Sequence, residues 1–236
     1  MKKFYEKSET WFAVAWIIIY VVIMGTLRGN FGDESIFSML GVLAIAVILT
    51  VFLVKNNLRK KCGLVAVSDS KKYLYFIPLV LLCTVNLWFG VSLHYDPIQQ
   101  IIAVMTLILA GYVEEIIFRG LLFKAIEKDS VTQAIIISAV TFGAGHIVNL
   151  LTGQANLSTF LQMGYAIAIG FAFVFVFYKS GSLIPCIITH SFINATSKFS
   201  NQSMMADVMW KYIIAAFLIV VGGGYALYLH KKVSKG

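Results

Sequence analysis

The sequence predicts an all-α, polytopic membrane bundle of about eight transmembrane helices, forming one integral membrane domain over residues 1–236. Three observations lead there. Of the 236 residues, 59% are hydrophobic and only 13% are charged, with a mean hydropathy of +0.85. A soluble domain of this size has too little interior to hide so much apolar surface. Apolar runs recur at the roughly 18 to 20 residues that cross a bilayer, and the basic residues alternate between the two sides such runs define.

The runs are 11–27, 36–54, 73–93, 98–122, 131–150, 159–178, 182–197 and 210–229. The first follows "MKKFYEKSET" and imitates a signal peptide. At about 17 residues it is long for the apolar part of one, and no A-x-A-like site follows, so it reads as a retained helix. With a cytoplasmic N-terminus, the inside loops collect Lys2, Lys3, Lys7, Lys55, Arg59, Lys60, Lys61, Lys71, Lys72, Lys124, Lys128, Lys179, Lys231, Lys232 and Lys235. Arg119 lies just within the cytoplasmic end of its run, and the outside receives only Arg28, Lys198 and Lys211. Sixteen against three accounts for all 19 basic residues and puts both termini in the cytoplasm. The net charge of +8 is thus topological. Its partner is membrane lipid rather than nucleic acid.

The connections agree. "KNNLRKKCGLVAVSDSKK", from Lys55 to Lys72, is basic and reads as cytoplasmic, lying partly on the membrane surface. "NLLTGQANLS" carries no charge and belongs outside. The seventh run, "LIPCIITHSFINATSKF", is short and polar, with Pro185 in its first turn, and calls for shielding by neighbours or a wet cavity. Cys62, Cys83 and Cys186 lack C-x-x-C spacing and read as packing residues. The aromatic run from Phe171 to Tyr178 reads as packing or lipid-facing surface, and His94 and Asp96 as interfacial.

Three groups of residues fit poorly in lipid. Within "GYVEEIIFRG" stand Glu114, Glu115 and Arg119; "TFGAGH" ends in His146; "HSFIN" holds His190 and Asn194. Burying charge in hydrocarbon costs several kcal/mol, so intramembrane ionisable residues mark function by default. Glu115 and Arg119 are four apart in the favourable order and predict an ion pair on one helix face. Glu114 is rotated by about 100° and has Phe118 as its i+4 neighbour, so its relief must come from another helix. That divides the two carboxylates into a structural one and a reactive one. His190 and Asn194 share a face, and Gly143 and Gly145 leave room for close helix approach before His146. Counted from the cytoplasmic ends at 1.5 Å per residue, Glu114 and His190 lie about 12 Å deep, Asn194 about 18 Å and His146 about 22 Å. Those depths predict one cavity, open to the cytoplasm. Each residue alone reads as readily as an interhelical hydrogen bond; the set on three helices does not.

These three motifs, in this order, resemble the CPBP intramembrane protease family, the CAAX protease and bacteriocin-processing superfamily related to the type II CAAX prenyl endopeptidases. Its pattern of E-E-x-x-x-R, F-x-x-x-H and H-x-x-x-N reads here as "EEIIFR" from Glu114, "FGAGH" from Phe142 and "HSFIN" from His190. The resemblance covers a core of about residues 70–200. It implies an intramembrane endopeptidase, with Glu114 and His146 activating water and His190 and Asn194 donating to the oxyanion. Glu115 and Arg119 would then hold the site in shape, and Phe142 would pack the histidine helix. The cofactor is either none or a single zinc, since one carboxylate and two imidazoles are a known zinc set while the H-E-x-x-H helix is absent. The metal-free reading is favoured. The implied partner is a membrane-bound peptide or protein: a lipidated C-terminus, a leader-peptide remnant, or a bacteriocin or pheromone precursor. The excess of lysine over arginine points to a bacterial plasma membrane. Two other classes stay in view: a non-catalytic immunity or scaffold protein, and a proton-coupled transporter, for which no inverted repeat is visible.

Overall fold

Helix starts are written locally in this chain. In the computed structural model, which describes residues 1–67, 76–150 and 153–233, a short α1 (Lys2–Lys7) leads into α2 (Glu9–Phe31) and α3 (Ile36–Lys55). The Ser8 hydroxyl accepts the Trp11 amide and the Ser35 hydroxyl accepts the Phe37 amide, each at 3.2 Å, satisfying donors that a helix start leaves free. After α4 (Ile77–Leu82) and a 3₁₀ turn at Val85–Leu87 comes α5 (Pro97–Glu115). Asp96 caps it by accepting from the Ile98 and Gln99 amides, with Pro97 in the first turn. The helix then runs on through a π-helical segment, Ile116–Phe123, into α6 (Lys124–Ile126). α7 (Val131–Gly145) tightens into a 3₁₀ turn at His146–Leu150. α8 (Asn156–Ser180) ends at Gly181, whose φ of 72° is the left-handed cap that favours glycine. α9 (Ile184–Ser197), α10 (Gln202–Ala206) and α11 (Val208–Val233) complete the chain. Among the described residues the β-structure is one isolated antiparallel bridge, Val91 to Ser200.

Among the described residues six helices are long and apolar enough to cross a bilayer: Glu9–Phe31, Ile36–Lys55, Pro97–Ile126, Val131–Leu150, Asn156–Ser180 and Val208–Lys232. With apolar side chains such as Ile18, Val22, Leu40 and Val47 exposed around the outside, the chain is an integral membrane protein. Two of the eight expected runs are shorter in the structure. Residues 73–75 of the run 73–93 lie outside the described residues; the rest is the apolar helix Ile77–Leu87, followed by turns through Gly90 at φ 84°. Asn86 is buried at the end of this stretch. Its amide donates to Ile193 O at 2.8 Å and to Thr196 Oγ1 at 3.0 Å, so a polar side chain inside an apolar run serves α9. The seventh run is the 14-residue α9, about 21 Å long against a hydrocarbon core of about 30 Å.

Close backbone approach sets the helix positions around α9 and α7. A methyl group on Gly111 of α5 would lie 2.9 Å from the Ser191 amide nitrogen, and one on Gly143 of α7 would lie 2.7 Å from the Ile167 nitrogen of α8. Gly143 therefore does what its sequence context predicts, whereas Gly145 has only Phe118 within 4.0 Å and makes no such approach. The aromatic run on α8 is core: Phe173, Val174, Phe175, Val176 and Phe177 are all buried. The three cysteines are free, with Cys62 and Cys186 buried.

The two ends of the bundle differ. At one, the basic segment after α3 is folded down rather than loose: Lys61 Nζ donates to the Tyr5 hydroxyl at 2.7 Å and pairs with Glu9 at 2.6 Å. Gly63 O accepts the Leu183 amide at 2.8 Å and Val65 O accepts the Ser182 hydroxyl at 2.7 Å. At the other, Asp33 in the α2–α3 turn bridges Arg28 and Lys198, the latter at 2.6 Å, and His94 Nε2 meets Ser200 O at 2.7 Å.

Candidate active site

The ion pair expected on α5 forms. Arg119 Nη1 donates to Glu115 Oε1 at 2.9 Å, and both side chains are fully buried. The π segment carries Arg119 into a box of rings, with its guanidinium carbon 4.2 Å from the Phe142 centroid and 5.6 Å from that of Phe173; such stacking suits a weakly hydrated guanidinium. Arg119 Nη2 also donates to Gly170 O at 3.4 Å. Glu115 Oε1 takes a second contact from α9, His190 Nδ1 at 2.9 Å. A carboxylate can only accept, so His190 carries a proton on Nδ1.

Glu114 points away from this pair, as the 100° rotation requires, and its relief comes from other helices. The Tyr20 hydroxyl of α2 donates to Glu114 Oε1 at 2.6 Å, and His190 Nε2 stands 3.5 Å from Glu114 Oε2. His190 is thus held between the two carboxylates, one at each ring nitrogen. Phe142 supports both imidazoles edge-on, with centroids 5.5 Å from His146 and 5.4 Å from His190. His146 sits where α7 tightens into its 3₁₀ turn. One turn beyond His190, Asn194 Nδ2 donates to Leu107 O at 3.3 Å, which leaves its second N–H for another acceptor.

Glu114, His146, His190 and Asn194, together with Phe142, line one hollow of about 360 Å³. The structure therefore brings the predicted residues together from three helices. It does not place the hollow as the depth count predicts. The wall continues through Arg28, Asp33, Gln154, Ser197 and Lys198, away from the basic segments rather than towards them. Depth counted from span ends locates a level but not a direction, and the packed layer of Leu121, Leu122, Phe123, Phe177 and Leu183 fills the other side.

As placed, the donor set does not fit a metal. Both ring nitrogens of His190 already face carboxylates, and among the described residues no three His, Cys, Asp or Glu side chains converge as ligands.

Sequence reasoning missed Tyr20 and Phe173. A tyrosine within a membrane run reads as an interfacial anchor, and its partner lies 94 residues away, beyond any local spacing rule. Phe173 was one aromatic in a run of them.

Residues 97–196 match the family model described as type II CAAX prenyl endopeptidase, Rce1-like. The match contains all three motifs and bears out the resemblance to CAAX-type proteases; Tyr20 lies outside it. Neither a curated protein nor a solved structure matches the chain.

Proposed function

We propose that this integral membrane protein, whose residues 97–196 match a protease family, is an intramembrane endopeptidase that hydrolyses a peptide bond of a membrane-held peptide. The observation that carries the reading is the meeting of Glu114, His146, His190 and Asn194 on one hollow. Glu114 takes a proton from water held between its carboxylate and His146, and the hydroxide oxygen attacks the peptide carbonyl carbon. The carbonyl electron pair moves onto oxygen. His190 Nε2–H and the free N–H of Asn194 donate to that oxyanion. Because Nδ1 is committed to Glu115, His190 can donate from Nε2 only as the imidazolium. Each carboxylate of "EEIIFR" therefore has a partner, Glu115 in Arg119 and His190, Glu114 in Tyr20 and His190. When the intermediate collapses the C–N bond breaks, and Glu114 returns its proton to the leaving amine.

Tyr20 is a positioning residue in this scheme: its hydroxyl holds one carboxylate oxygen and leaves Oε2 facing the hollow. The test is cleavage of a membrane-peptide library by purified protein and by Glu114→Gln. The expected outcome is a loss of about 10²- to 10⁴-fold with unchanged thermal unfolding in detergent. Equal turnover by the variant removes the base and the reading with it.

A further inference from the structure

Three of the helices that line the hollow do so with one half, and those halves end at the same end of the bundle: α2 gives Tyr20 to Arg28, α7 gives Phe142 and the residues after it, and α9 gives His190 to Lys198. α8 reaches past its middle, from Gln162 to Phe173, and α5 adds Leu107, Ala110 and Glu114. Below Phe118 and Phe142, among the described residues, Phe123, Phe177 and Leu183 form a packed layer, each at most 1% exposed. The folded-down segment after α3 covers that end further, through Gly63 O and Val65 O. At the opposite end the Arg28 side chain, on the wall of the hollow, is 31% exposed. The reactive groups are within reach of that end. Seven residues of α9 separate His190 from Ser197, about 10 Å, and eleven of α2 separate Tyr20 from Phe31, about 17 Å.

Charge distinguishes the same two ends. The sealed end carries Lys55, Arg59, Lys60, Lys61, Lys124, Lys128 and Lys179. The open end carries Arg28, Lys198 and Lys211, and Asp33 pairs with the first two of these. Short loops rich in Lys and Arg stay in the cytoplasm. From these two asymmetries together we infer that the hollow opens on the extracytoplasmic face, and that its substrate is a membrane-held peptide whose scissile bond stands in the outer half of the bilayer. The substrate part of this inference rests on the endopeptidase reading above; the orientation does not. It selects peptides that have already been exported or left in the outer leaflet, and it removes cytoplasmic C-termini from the candidates. The Asp33 bridge between the α2–α3 turn and the end of α9 is then the rim such a peptide meets first.

Thiol labelling of the full-length protein in its membrane tests this. Cys62 and Cys186 are buried, and burial pushes the Cys62 thiol up to about 12, so a Cys83→Ser parent gives a quiet background. Gln154→Cys and Ser197→Cys report the hollow wall, and Lys60→Cys reports the sealed end. With a charged, membrane-impermeant maleimide, Gln154→Cys and Ser197→Cys label in intact cells, while Lys60→Cys labels only in inverted vesicles. The reverse pattern overturns the inference, and so does labelling of neither wall position from outside while Lys60→Cys behaves as stated. A cleavage assay on the same membranes separates the two claims. Outside labelling of the wall with no peptide cut by the parent leaves the orientation standing and sinks the endopeptidase. Cleavage with inside labelling does the opposite.

Discussion

Glu114 and Glu115 are adjacent in sequence and occupy different worlds. Glu115 is in a dry chamber: fully buried, touched by His190, and paired with Arg119, which Phe142 and Phe173 box. Glu114 is on the wall of the hollow, with 14% of its side chain exposed, one oxygen held by Tyr20 and the other facing His190. A single step of about 100° along a helix separates them. The lesson is that the burial that makes one carboxylate structural makes its neighbour available, because the helix can satisfy only one of them from its own i+4 position. His190 joins the two regions, with one ring nitrogen in each.

Removing a charge from the dry chamber has the largest effect. Arg119→Met takes the guanidinium from Glu115 and is expected to cost about 3–5 kcal/mol, read as lost folded protein in detergent and lost cleavage together. A variant that unfolds like the parent would show that Glu115 does not depend on the pair. On the hollow side the effects fall on rate and spare the fold. Asn194→Ala removes an oxyanion donor and is expected to lower kcat by roughly 10²- to 10³-fold with KM little changed; a change in KM alone would assign Asn194 to binding. Tyr20→Phe removes one hydrogen bond to a carboxylate and is expected to lower kcat roughly tenfold, with a shifted acidic limb of the pH–rate profile. An unshifted profile would reduce Tyr20 to packing.

The smallest effect is at the rim. Burial acts to raise the Asp33 carboxyl, but the Arg28 guanidinium and then the Lys198 ammonium outweigh it and hold the group below the usual carboxylate range. A depressed carboxylate contributes stability above its unfolded value and loses it as pH falls through the folded one. The parent should therefore lose a little stability on acidification below the ordinary carboxylate range. Asp33→Asn should change neutral-pH stability by about 1 kcal/mol or less and flatten that acid limb; an unchanged limb in thermal unfolding would place the titration elsewhere.

What could be read in the chain without coordinates was whatever obeys local spacing. The Glu115–Arg119 pair, the shared face of His190 and Asn194, the Pro185 helix start and the close approach at Gly143 all follow from fixed offsets. The hydroxyl on Glu114 does not, nor does the His190 contact to Glu115 across 75 residues, because both depend on how helices are laid side by side. Hydropathy also ran through Asn86, since an average over a window cannot see that one amide has two acceptors waiting on α9. The direction of the hollow was hidden for a related reason. Span boundaries fix height in the bilayer, while the filling by Phe123, Phe177 and Leu183 is a property of side-chain volumes meeting from several helices.

The π-helical stretch Ile116–Phe123 begins immediately after the two glutamates. A π turn accommodates about one residue more than an α turn, so the stretch works as a phase adjuster between two otherwise ordinary pieces of helix. Deleting a single amino acid there would restore α geometry and swing one piece against the other by roughly 100°. The chemistry of this protein should therefore tolerate many changes of side chain along that stretch better than it tolerates a change in its length.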